Sequence, residues 1–303
     1  MFLLINSAAK AGVAPGVAAM RRSAPLLDVL ETILRAAEED RTQTTVGLGA
    51  HPNAVGAVEL DASLMDGRTR RTGSVAALEG FLHPVSVARQ VMERLPHEIL
   101  VGAGAARFAR EIGAAPANLL TPEIEEQWRR WLGANLTAEA REHLEEIPLA
   151  EIIWRTALPG SHRDTAIALA GNGSGLASGT STSGWAYKYP GRLGDSALIG
   201  CGHYADSRFG AAACTHTGEM TIRAGSARAV VLAIERGDSA EAACRAAFAD
   251  LRQLREGFLS DVVIYAFDAK GEHFAATTGA KASYWWWTDA MAEPEERTPV
   301  IVG

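Results

Sequence analysis

A chain of 303 residues, 48% hydrophobic and 21% charged, has enough apolar material for a large core and the composition of a globular protein. Its net charge of −7 supplies no basic field to hold nucleic acid, so a nucleic-acid partner is not expected. No apolar run approaches the roughly 20 residues that span a bilayer, and Cys201, Cys214 and Cys244 are an odd set without metal-ligand spacing, which points to a reducing cytoplasm.

Met1-Phe2-Leu3-Leu4-Ile5 is too short for a signal peptide and, with Asn6 following at once, reads as a first strand. Ser23 fits a helix N-cap with Pro25 in the first turn. Leu26, Leu27, Leu30, Ile33, Leu34 and Ala37 then recur at helical spacing. Residues 44–48 and 57–65 read as strands around a loop containing His51-Pro52-Asn53. His51 has the chemistry of a ligand or general base, but a loop histidine with no second one nearby is more often structural. Helices are expected at 86–95, at 105–112 where Gly113 stops it, and from Thr121-Pro122-Glu123, with a strand at 98–101. The stripe Ile124, Trp128, Trp131, Leu132 reads as core or subunit packing. Glu139, Arg141, Glu142, Glu145 and Glu146 predict a solvated helix, and Leu158-Pro159-Gly160-Ser161 breaks regular structure.

Next comes His162-Arg163-Asp164-Thr165, an apolar run 166–170, a small-residue turn 171–175, and a second run ending Gly179-Thr180-Ser181-Thr182. This predicts a hairpin with Thr165 opening one strand and Thr182 closing the other, so that the two hydroxyls meet at its open end. A threonine hydroxyl needs a base, and an N-terminal threonine carries one in its own α-amine, which titrates near neutrality. In an Asp-Thr pair the hydroxyl can free itself by attacking the preceding carbonyl, after which the ester hydrolyses. On the dipeptide alone, Asp164 capping a turn at a strand entry explains it as well.

Farther on, 197–200 and 209–214 read as buried strands. Ser226 and Ser239 fit caps of two helices, the second with Cys244, Ala247, Leu251 and Leu254 inward. Residues 261–267 and 273–277 form a hairpin around Lys270-Gly271. Tyr284-Trp285-Trp286-Trp287 is a packing or dimer segment, with a carbohydrate platform as the alternative. Strands and helices paired in this way suggest face-to-face sheets covered by helices. No repeat or linker divides the chain, so 1–303 is expected to be one domain.

Several motifs occur in order: Thr45-Val46-Gly47-Leu48-Gly49, Leu60-Asp61-Ala62-Ser63-Leu64-Met65-Asp66-Gly67, Asp164-Thr165 and Gly179-Thr180-Ser181-Thr182-Ser183-Gly184. They continue with Gly191-Arg192-Leu193-Gly194-Asp195-Ser196, Gly200-Cys201-Gly202-His203-Tyr204-Ala205-Asp206, and the run from Gly210 through Thr215-His216-Thr217-Gly218-Glu219. On these the chain resembles, over nearly its whole length, the N-terminal-nucleophile hydrolases of the glycosylasparaginase, plant-type asparaginase and isoaspartyl-peptidase family, most of all the bacterial glycosylasparaginase-like branch.

The resemblance implies an α+β fold, the four-layer αββα sandwich, and self-cleavage between Asp164 and Thr165 into 1–164 and 165–303. It implies that Thr165 is the nucleophile and that Thr182 hydrogen-bonds its hydroxyl. Arg192 and Asp195 take the α-carboxylate and α-ammonium of a small asparagine-type substrate. Thr215 and the backbone N–H of His216 form the oxyanion hole, and Gly218 lines the substrate. No cofactor is needed, and the working unit is a homodimer of processed αβ units. The implied substrates are N4-(β-N-acetylglucosaminyl)-L-asparagine, L-asparagine or both. β-Aspartyl dipeptide hydrolysis is an alternative, as is an uncut, non-catalytic relative. The chain departs from the family where His216 and Ile167 stand for glycine and where the Thr165–Thr182 interval is one residue short. Ala8 or a neighbour replaces a tryptophan, which implies a permissive leaving-group opening.

Overall fold

The computed structural model describes residues 1–157 and 164–302, so the expected interruption of regular structure at 158–161, with His162 and Arg163, lies outside the described residues. In chain order the strands are β1 (Phe2–Asn6), β2 (Leu60–Asp66), β3 (Thr72–Leu78), β4 (Ile99–Val101), β5 (Ala166–Asn172), β6 (Gly175–Thr182), β7 (His203–Asp206), β8 (Gly210–His216), β9 (Val262–Asp268), β10 (His273–Thr277), β11 (Tyr284–Thr288), β12 (Glu295–Arg297) and β13 (Val300–Ile301). The α-helices are α1 (Val13–Arg21), α2 (Leu26–Glu39), α3 (Pro84–Arg94), α4 (Gly102–Glu111), α5 (Pro122–Asn135), α6 (Ala138–Glu142), α7 (Ala150–Thr156), α8 (Gly218–Ala224), α9 (Ser226–Glu235) and α10 (Ala240–Leu251).

An eight-stranded sheet runs β12-β11-β1-β5-β6-β2-β3-β4, and a five-stranded sheet runs β13-β10-β9-β8-β7. Period-two alternation explains why the two stack. In β9, Val262, Ile264 and Ala266 face a core shared with α9 and α10, whereas Val263, Tyr265 and Phe267 face the other sheet. In β5, Ala166, Ala168 and Ala170 lie under α2, and Ile167 and Leu169 meet the small sheet. Each sheet therefore buries both faces, and three apolar layers separate four structural layers: the αββα sandwich. On α2, Val29, Leu30, Ile33 and Leu34 are fully buried, and each such side chain contributes about 1.5–3 kcal/mol.

Some local expectations give way. Ser23 sits at φ 55 and is not a cap; α2 begins after Pro25. Residues 44–48 form turns rather than a strand, because Gly47 takes a left-handed φ of 60 against the end of α2. A Cβ there would lie 2.1 Å from the Glu38 carbonyl oxygen. Residues 197–200 also turn, ending at Gly200 with φ 93. The charged helix stops at Glu142. The Trp285–Trp287 run is strand β11, paired with β1 and with Trp286 and Trp287 buried, so packing accounts for it.

Candidate active site

The β5–β6 hairpin pairs Ala166 with Ser181 and leaves Thr165 and Thr182 at its open end. On the other flank β1 ends in Asn6, whose carboxamide grips the backbone on both sides of the hairpin entry. Its Nδ2 donates to the Thr165 carbonyl at 2.7 Å, and its Oδ1 accepts from the Ile167 N–H at 2.8 Å. From the second sheet, β8 delivers Thr215 and His216 to the same corner. Thr165, Thr182, Arg192, Asp195, His216 and Gly218 line one narrow cleft, together with Asp164, Gly184, Trp185, Gly194 and Ser196. Thr215 is buried beside it, with its Oγ1 2.9 Å from His216 Nδ1.

Thr165 is buried, and among the described residues its hydroxyl meets Ser196 Oγ at 3.3 Å. The expected Thr182–Thr165 hydroxyl contact is replaced. In the uncut chain Thr182 Oγ1 shares its one proton between the Asp164 and Thr45 carbonyls, both at 3.2 Å, and accepts from the Gly184 N–H. The intact peptide bond puts the Asp164 carbonyl within reach of Thr182. The Asp164 carboxylate accepts from the Thr165 N–H at 2.9 Å. Burial pushes that carboxyl up, and nearby His216 pulls it partly back.

Ser196 is held from behind by a polar network that joins the sheets. Ser63 Oγ and Thr180 Oγ1 both donate to its carbonyl. His203 of β7 contacts Ser63 Oγ through Nε2 at 2.5 Å and Ser178 Oγ through Nδ1 at 2.7 Å. Burial drives the His203 imidazole down to about 3, so it is neutral.

Arg192 and Asp195, expected to hold the substrate head group, do not pair with each other. Arg192 directs Nε and Nη2 to Glu219 Oε1 at 3.0 and 2.7 Å and lies 4.7 Å from the centre of the Trp185 ring. Its Nη1 is turned toward Gly184 and Gly194 at the cleft. Asp195 is buried, accepts from Thr221 Oγ1 at 2.6 Å, and is raised by burial to about 6. A Cβ at Gly218 would stand 2.9 Å from Asp195 Oδ1, so a bare backbone is needed there. The loop under Arg192 is tied down by Glu59, which accepts from the Gly191 N–H at 2.7 Å and pairs with buried Lys188 at 3.6 Å.

His216 adopts φ 81, a left-handed conformation that costs a non-glycine residue strain. His51 is buried against Tyr187 and does not line the cleft. Asn6, Ser196, Glu219 and Trp185 were not singled out by sequence reasoning. Ser196 had a signal, adjacency to Asp195, whereas Asn6 arrives from the far end of the chain. No helix among the described residues is long and apolar enough to cross a membrane.

The chain is similar to known proteins over most of its length. The asparaginase family profile matches residues 5–295. The N(4)-(β-N-acetylglucosaminyl)-L-asparaginase of Elizabethkingia miricola is 38% identical over 255 residues, covering 82% of this chain and 70% of that protein. A plant-type L-asparaginase of Pyrococcus horikoshii is 36% identical over 275 residues, covering 90% and 87%. An isoaspartyl peptidase/L-asparaginase of Danio rerio is 32% identical over 253 residues, covering 82% and 76%.

Proposed function

The chain belongs to the asparaginase family of N-terminal-nucleophile amidohydrolases, and on that premise we propose that Thr165, freed by self-cleavage, is its nucleophile. The observation that carries this reading is the convergence of Thr165, Thr182, Arg192, Asp195, His216 and Gly218 on one cleft from both sheets. In the uncut chain the Thr165 hydroxyl attacks the Asp164 carbonyl carbon, whose oxygen already accepts from Thr182. The C–N bond breaks, the acyl group moves to oxygen, and the nitrogen becomes a free amine. Water then hydrolyses the ester, leaving the Asp164 carboxylate and an N-terminal Thr165.

In turnover the amine takes the hydroxyl proton as Thr165 attacks the side-chain amide carbon of an asparagine-type substrate, and passes it to the leaving nitrogen. Thr215 and the His216 N–H stabilise the tetrahedral oxygen; each such donor is worth roughly 3–4 kcal/mol. Water releases aspartate from the acyl-enzyme. Arg192 has five N–H donors; with Nε and one Nη2 hydrogen on Glu219, its Nη1–Nη2 edge still presents two parallel donors to an α-carboxylate. Ionised Asp195 takes the α-ammonium. The working unit in this proposal is a homodimer of αβ units.

Ala8 and Ala9, just after β1, are small and buried in the core and place no aromatic wall at the cleft, and Trp185 packs on Arg192. The opening is therefore permissive. N-acetylglucosaminyl-asparagine, free asparagine and β-aspartyl dipeptides are all turned over, with kcat/KM values within about a hundredfold, roughly 2.7 kcal/mol. Thr165→Ala abolishes all three activities. A larger preference for the glycosylated substrate contradicts the permissive opening, and activity surviving in Thr165→Ala contradicts the nucleophile.

A further inference from the structure

Consecutive side chains on a strand point to opposite faces, so Thr215 and His216 at the end of β8 have no reason to touch. They do: His216 Nδ1 lies 2.9 Å from Thr215 Oγ1. The contact exists because the backbone at His216 turns to φ 81 and swings the ring back beside its neighbour. Only glycine takes that conformation freely, and a histidine placed there gives up stability. The ring also lines the cleft with Asp164 and Thr165.

We infer that the His216 imidazole is a positioning residue for Thr215, donating from Nδ1 to Thr215 Oγ1 so that the single hydroxyl proton of Thr215 points into the cleft. The reasoning is a count of protons. A threonine hydroxyl carries one proton and two lone pairs. If Thr215 donates to Nδ1, its proton is used up and the oxyanion loses that donor. If Nδ1 carries the proton, it fills one lone pair of Oγ1; the buried Tyr265 hydroxyl, also beside Thr215, can fill the other, and the hydroxyl proton is released toward the substrate. The Asp164 side chain lines the same cleft as the ring. His216 thus has two separate roles at the oxyanion: its backbone N–H, assigned above, and an imidazole that aims the second donor.

This inference rests on Thr215 being an oxyanion donor, and a double-mutant cycle separates the two claims. Four variants are compared on L-asparagine: Thr215→Ala, His216→Gly, their double mutant, and His216→Asn. Intact mass gives the cleaved fraction and thermal unfolding gives stability. His216→Gly removes the strain, so Tm holds or rises, while kcat falls about tenfold or more and KM stays within about twofold, as expected for loss of a group that acts in the transition state. His216→Asn tolerates the left-handed backbone and keeps a donor, so it recovers part of kcat. The double mutant is no slower than Thr215→Ala, because His216 acts through Thr215.

Wild-type kcat in His216→Gly overturns the inference. So do losses that multiply in the double mutant, and so does a folded His216→Gly protein that stays uncut, which would place the ring in chain cleavage instead. Wild-type kcat in Thr215→Ala removes the oxyanion assignment itself.

Discussion

In the proposed site Asp195 supplies the charge for an α-ammonium, and burial raises its carboxyl to about 6, above the ordinary carboxylate range. Binding of an ammonium requires the ionised form. Affinity for the product L-aspartate is therefore full above about pH 6 and falls about tenfold per pH unit below it. Titration calorimetry with L-aspartate from pH 7.5 to 5 measures this; a dissociation constant that stays flat to pH 5 contradicts the Asp195 assignment. That Arg192, Asp195 and Gly218 share one cleft was foreshadowed only through the family resemblance, which short glycine-spaced motifs carry. Glu219 and Asn6 were not legible as site residues. Their contacts with Arg192 and Thr165 depend on the strand order, which no local spacing carries.

At the scale of elements, the β5–β6 hairpin was readable from its apolar runs and Gly-rich turn, and its register leaves both threonines at the open end. Sequence could not supply the link between the sheets. His203 in β7 reaches Ser63 and Ser178 in the other sheet, and Ser63 in turn holds the Ser196 carbonyl. That histidine has a folded pKa of about 3 against an ordinary 6.5. Between these values the unfolded chain binds a proton that the folded chain refuses. Its effect on stability is thus absent above about pH 6.5 and destabilising as pH falls toward 3, at about 1.4 kcal/mol per pH unit. In the uncut Thr165→Ala background, urea unfolding between pH 7 and pH 5 should show a loss larger by about 2 kcal/mol than in the same background carrying His203→Asn. Equal losses would show that His203 is not held neutral. Where local expectations failed, at Ser23, at 44–48 and at 197–200, the chain turns through left-handed residues. A residue's preferred φ is a tertiary outcome there: Gly47 is pressed against the end of α2.

Across the whole molecule, face-to-face sheets covered by helices were expected from the pairing of strands with helices, and the resemblance supplied the four-layer sandwich; β5 and β9, each buried on both faces, bear it out. The order of the large sheet was not visible, and it bears on cleavage. Strand β1, from before the proposed cut, lies between β11 and β5, both from after it, and β2 pairs with β6. Two fragments made by breaking the chain at Asp164–Thr165 are therefore interleaved and stay together until denatured. The direct measurement is intact mass and N-terminal sequencing of the purified protein under denaturing conditions. The account predicts two pieces that co-elute in native buffer, the smaller beginning Thr-Ala-Ile-Ala-Leu. A single species at 32.1 kDa, or a cut at any other bond, would contradict it.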